Sequence, residues 1–203
     1  MMKELELFKV ENYYGFDQSL FSDRWMNIGG CGAVVACDIS IYLARRFGLD
    51  HVYPFSKDTI TASEYIRFSQ IMKPYLRPRM TGINTLEVWM YGYRNYLKSV
   101  GETRISMKGL NSDCSFETMR EALKRQIDSS MAVPYLNLQH HNPNFTNYVW
   151  HWFWLAGYEE FEDSFMVKAV TYGTYHWFSF PDLWNSGYTK KGGMILINLP
   201  WDR

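Results

Sequence analysis

Gly29-Gly30-Cys31-Gly32-Ala33-Val34-Val35-Ala36-Cys37-Asp38-Ile39-Ser40-Ile41-Tyr42-Leu43-Ala44-Arg45-Arg46 is the stretch that decides how this chain folds. The two glycines break the preceding chain, because glycine lets backbone approach closely and supplies unusual dihedrals. From Cys31 to Arg46 there is no proline, and Val34, Val35, Asp38, Ile41, Tyr42 and Arg45 recur at helical spacing before a stop at Gly48. No other helical segment is as apolar, so this helix is expected at the centre of the fold, with Cys31 at its first position.

Working outward, Thr61-Ala62-Ser63-Glu64 has the form of a capping box, opening a helix to about Met72 that Pro74 and Pro78 end. A third helix is expected from about Asn84 to Ser99, stopped by Gly101. A fourth follows from Phe116 to about Ser129 behind an N-cap at Ser115, with Met119, Leu123 and Ile127 as its apolar stripe. From Met131 the period changes to that of strands. Residues 131–138, 149–158, 164–172, 174–180 and 193–199 are rich in β-branched and aromatic side chains and divided by turn formers. Helices first and an antiparallel sheet afterwards make an α+β fold rather than βαβ alternation. One domain over 1–203 is expected, without repeats or a linker.

Bulk properties narrow the function. The composition is 47% apolar and 21% charged, ordinary for a globular chain. Basic and acidic residues number 21 each, so no global field gathers phosphate backbones or anionic lipid, and neither nucleic acid nor membrane is expected as a partner. The three cysteines, Cys31, Cys37 and Cys114, are too few for a disulfide framework and match no zinc spacing, so no metal or other cofactor is expected. The first residues include acidic side chains and lack a secretory apolar run, which points to the cytoplasm. Aromatics reach 18% and concentrate in Tyr148–Trp154, as core or cleft wall.

Cys31 carries the chemical interest. Unpaired N–H groups and the dipole at a helix N-terminus favour a thiolate, and the same N–H groups can donate to an oxyanion. The pattern also fits a small buried cysteine under a glycine turn. A catalytic thiol needs a histidine distant in sequence. His51 follows the first long helix in a loop, His140 and His141 sit in the polar stretch Gln139–Asn144, and His176 lies among aromatics on a late strand. His151 opens the apolar strand Trp152–Gly157 just after a polar loop, at a strand mouth facing a cleft, 120 residues after Cys31.

Gly29–Ala36, the helix from Phe116 with Ala132–Leu138, and His151–Tyr158 together resemble the bacteriocin-leader-processing peptidases and their relatives in the papain-like superfamily. The resemblance spans most of the chain and implies that Cys31 attacks a carbonyl while His151 takes and returns protons. It also implies a glutamine donor to the oxyanion upstream of the cysteine. Gln18, 13 residues before Cys31, is the only upstream glutamine, and Asn27 competes for the role. Relatives orient the histidine with an aspartate or asparagine on the following strand. Here that stretch is Val167-Lys168-Ala169-Val170-Thr171-Tyr172-Gly173, where Thr171 is the small polar residue available. The expected activity is peptide or amide hydrolysis through a thioester, on a peptide or protein substrate. Acyl transfer to an amine or thiol by the same pair, and a catalytically silent module that binds a peptide or protein, are the alternatives.

Overall fold

A computed structural model describes residues 1–111 and 113–200. Three short strands, β1 (Met2–Glu4), β2 (Lys9–Val10) and β3 (Tyr13–Tyr14), lead into two consecutive helices, α1 (Arg24–Gly29) and α2 (Cys31–Phe47). Then come α3 (Ala62–Met72), α4 (Leu86–Ser99), β4 (Ser106–Asn111) and α5 (Phe116–Asp128). The chain ends in β5 (Val133–Asn137), β6 (His151–Glu160), β7 (Phe165–Thr171), β8 (Thr174–Ser179), α6 (Phe180–Trp184) and β9 (Gly192–Asn198). This is an α+β fold.

Local chemistry accounts for the helix ends. In α3 the Thr61 hydroxyl accepts from the Glu64 N–H at 3.2 Å while the Glu64 carboxylate accepts from the Thr61 N–H at 3.1 Å, a complete capping box. Ser115 caps α5, whose buried side chains Met119, Ala122, Leu123, Gln126 and Ile127 fall on one face. Gly48 ends α2 in the left-handed region, at φ 66°. Every residue of α2 from Cys31 to Ala44 is buried, as an all-round apolar helix requires.

Antiparallel pairing sets the sheet order β4-β9-β5-β6-β7-β8. β6 is the axis. β7 lines one of its edges, while β5 takes the first half of the other, from Asn137↔His151 to Val133↔Leu155, and β1 takes the second, at Gly157–Glu159. No helix among the described residues is long and apolar enough to cross a membrane.

The observed order departs from helices first, strands second. β1 joins the sheet from the extreme N-terminus, and β4 forms an edge between α4 and α5. Neither has a readable pattern: β1 has three residues, and β4 (Ser-Met-Lys-Gly-Leu-Asn) is interrupted by Gly109 and contains no β-branched residue. The reading of Gly29-Gly30 also changes. Asp23 caps α1 by accepting from the Trp25 and Met26 N–H groups, so Gly29 is helical, and Gly30 joins the two helices at φ −85°, ψ −1°, which any residue adopts. Gly30 is there for space: a Cβ would lie 2.2 Å from the Met26 carbonyl oxygen.

Overpacking against backbone has no side-chain relief, so Gly30→Ala should destabilise the protein by about 1–3 kcal/mol. Urea denaturation measures this, and an unchanged midpoint would show that α1 and α2 can separate without loss.

Candidate active site

Cys31 opens the longest helix and His151 the longest strand among the described residues, and the fold brings these two ends together. Three indoles set the approach. Trp89 Nε1 donates to the Gly32 carbonyl at 2.9 Å, Trp152 Nε1 to the Ile83 carbonyl at 2.6 Å, and Trp154 Nε1 to Asp38 Oδ2 at 3.1 Å. A Cβ on Gly32 would stand 3.0 Å from Ile83 and 3.5 Å from both the Trp89 and Trp152 rings, so glycine lets the first turn of α2 sit between them.

Cys31 and His151 line a cleft of about 470 Å³ together with Gln18, Met80, Trp150 and Tyr172. They also line a much smaller inner pocket, about 10 Å³, with Asp38, Thr171, Gln18 and Tyr172. The His151 Nε2 and Thr171 Oγ1 atoms are 2.7 Å apart. With Nε2 engaged, Nδ1 is the nitrogen left for the thiol, and no hydrogen bond joins Cys31 to His151 among the described residues. Looser geometry of this kind is common before substrate binds. Tyr172 stacks on the imidazole at 4.6 Å and 10°, and its hydroxyl donates to the Asn147 carbonyl at 2.6 Å. Trp150 and Tyr172, which adjoin His151 and Thr171 in sequence, both hold φ 51°, a left-handed conformation costing on the order of 1 kcal/mol each.

The electrostatics run against the expectation of a preformed thiolate. Burial pushes the Cys31 thiol up, and the backbone N–H groups of Trp152, Gly32 and Cys31 around the sulfur only partly offset it. Burial likewise pushes His151 down to about 4, with Asp17 opposing. At neutral pH the resting pair is therefore a neutral thiol beside a neutral imidazole.

Gln18 stands in the cleft beside Cys31, but its amide nitrogen donates to the Asn27 carbonyl at 3.0 Å, and the buried Oε1 has no partner. The amide nitrogen is thus engaged by the backbone carbonyls of Asn27 and, at 3.5 Å, Ile28. Asn27 is a loop clamp, its Nδ2 donating to the Ser19 and Phe21 carbonyls. The N–H groups at the start of α2 are what remain to serve an oxyanion. The other histidines lie elsewhere: His51 pairs with Glu102 at 3.0 Å, His140 sits against Phe145, His141 stacks on Tyr188, and His176 stacks on Phe178.

In the sequence Asp38 stands out only as a helix-face position. It is a buried carboxyl held by the Tyr65 hydroxyl at 2.7 Å and by the Trp154 indole. Burial pushes it up to about 7, with Tyr65 and then Trp154 restraining the rise. The signal available in the sequence was an aspartate in the middle of an otherwise apolar helix.

These two shifts make opposite demands on folding. His151, depressed from 6.5 to about 4, withdraws stability as pH falls through that window. Asp38, raised from 3.8 to about 7, contributes stability that is full in acid and is lost as pH rises through its window. In the wild type the slopes largely cancel. Asp38→Asn removes one of them, so the mutant should gain stability relative to wild type between about pH 4.5 and 6.5, by on the order of 2–3 kcal/mol. Parallel urea curves at the two pH values would show that Asp38 titrates normally.

No protein-family model matches the chain, and no curated protein matches it. A solved structure, that of the Pseudomonas avirulence protein AvrPphB, is similar over 92% of this chain and 96% of its own, with a TM-score of 0.37 and 10% sequence identity.

Proposed function

We propose that the chain is a papain-like thiol hydrolase that cleaves a peptide or amide bond in a peptide or protein substrate. The observation that carries this reading is the convergence of Cys31, at the N-terminus of α2, and His151, hydrogen-bonded through Nε2 to Thr171, on one cleft. In the proposed reaction the Cys31 proton passes to His151 Nδ1 as sulfur attacks the carbonyl carbon. The α2 N–H groups hold the oxyanion. The imidazolium returns its proton to the leaving amine, leaving a thioester on Cys31. Water, deprotonated by the same nitrogen, then attacks the thioester, and the carboxylic acid and free thiol are released. Because the resting pair is neutral, His151 acts as a general base during attack. The narrower likeness to leader-processing peptidases rests on the sequence motifs.

One observation favours a silent binding module instead: Trp150 is 50% exposed and Met80 90% exposed at the cleft, an apolar rim suited to holding a peptide without cutting it. A fluorescent cysteine-directed activity probe separates the two. Labelling of the wild type that is lost in both Cys31→Ala and His151→Ala supports the hydrolase, while labelling that is absent or survives His151→Ala overturns it.

Thr171→Val removes the hydroxyl that orients His151 at nearly constant volume. Loss of one hydrogen bond of about 1–1.5 kcal/mol should slow probe labelling about tenfold. An unchanged rate would mean that the Tyr172 stack alone fixes the ring.

A further inference from the structure

We propose that Asp38 is the carboxylate of this site, a positioning residue that stabilises the imidazolium formed at His151 when the Cys31 thiol attacks. The proposal rests on the reading of Cys31 and His151 as a catalytic pair.

Placement is the first argument. Asp38 lies seven residues after Cys31, two turns along the same helix, which puts both side chains on one face of α2. That face borders the inner pocket, where Asp38, Cys31, His151 and Thr171 come together.

Charge balance is the second. Asp38 is 3% exposed in the middle of a buried helix, a costly place for a carboxylate without a cation. Its direct partners, Tyr65 and Trp154, are neutral donors. Its charge acts directly on Cys37 on α2 and Tyr65 on α3; the titratable groups that share the inner pocket with it are Cys31, His151 on β6 and Tyr172 after β7, and Asp17 is a second carboxylate, acting on His151 and Tyr172. Of these, His151 alone can become positive. Thr171 fixes the ring but is neutral, so it does little for the charged form. The carboxylate absent from β7 is supplied from α2.

The consequence is a distinctive pH dependence. Cys31 ionises above its ordinary 9.0 and His151 at about 4, so neither titrates near neutrality. Asp38, at about 7, does. Thiol reactivity should therefore rise through about pH 7 as Asp38 becomes charged.

The test is the rate of Cys31 alkylation by iodoacetamide from pH 5 to 10, in a Cys37→Ser, Cys114→Ser background. The background should show a step near pH 7 that Asp38→Asn abolishes, lowering the rate at pH 7.5 about tenfold, the effect of one pK unit. The amide keeps the local bonds. It can accept from Trp154 and donate to the Tyr65 oxygen, while the Tyr65 hydroxyl donates to the Val34 carbonyl 3.1 Å away. A folded Asp38→Asn protein whose profile superimposes on the background overturns the proposal. If Asp38→Asn does not fold, Tyr65→Phe decides: removing one donor should move the step to higher pH, and an unmoved step overturns the proposal. His151→Ala separates this failure from that of the functional reading. If it leaves the profile intact, the pair itself is not catalytic; if it slows alkylation while Asp38→Asn does not, only the role of Asp38 fails.

Discussion

A helix buried on every side must satisfy the N–H groups of its first turn locally, and the site is built on that constraint. Burial of Cys31 through Ala44 carries the helix start into the interior, where the N–H groups of Cys31 and Gly32 stand around the Cys31 sulfur. Reaching that position requires close contact on two sides. Gly30 lies against the Met26 carbonyl, and Gly32 lies between two indoles. The strand that meets this helix end is β6, held along both edges by β5, β1 and β7, so its first residue, His151, is delivered by a supported element rather than a loop.

Long, strongly patterned elements were legible in the sequence. The helix from Cys31 is legible to within a residue of its end, because fourteen consecutive buried positions and a left-handed Gly48 leave little choice. The Thr61 capping box and the Ser115 cap were readable for the same local reasons. β1, β4 and α1 were not, since pairing partners far along the chain or a single capping aspartate decide them. The pairing of His151 with Thr171 follows from adjacency of β6 and β7, which the hairpin between them makes predictable. The orientation of the Gln18 amide does not, because it depends on where the Asn27 carbonyl falls after the chain folds back.

Electrostatics were the least legible part, and burial is the reason. A helix N-terminus lowers a thiol pKa when the sulfur is also wet. Here Cys31 is 6% exposed, and desolvation outweighs the N–H donors. The same burial depresses His151 and raises Asp38, so the thiol and the imidazole are held neutral while the carboxyl is shifted to titrate near neutrality. A sequence pattern names the groups, but only the packed structure decides which protonation states they hold.

That neutrality separates chemistry from recognition. Cys31, His151, Gln18 and Tyr172 belong to both the open cleft and the inner pocket, whereas Asp38 and Thr171 border only the inner pocket, and Met80 and Trp150 only the cleft. Tyr172, flat against the imidazole, is the shared wall. Side chains on the cleft side, Met80 and Trp150, are open to solvent, whereas Asp38 and Thr171 on the inner side are buried. The left-handed conformations of Trp150 and Tyr172 fall at this boundary, next to His151 and Thr171 in the chain. Under the proposed reading, the apolar rim at Met80 and Trp150 can therefore change without touching Asp38 or Thr171, which lie on the other side of the imidazole.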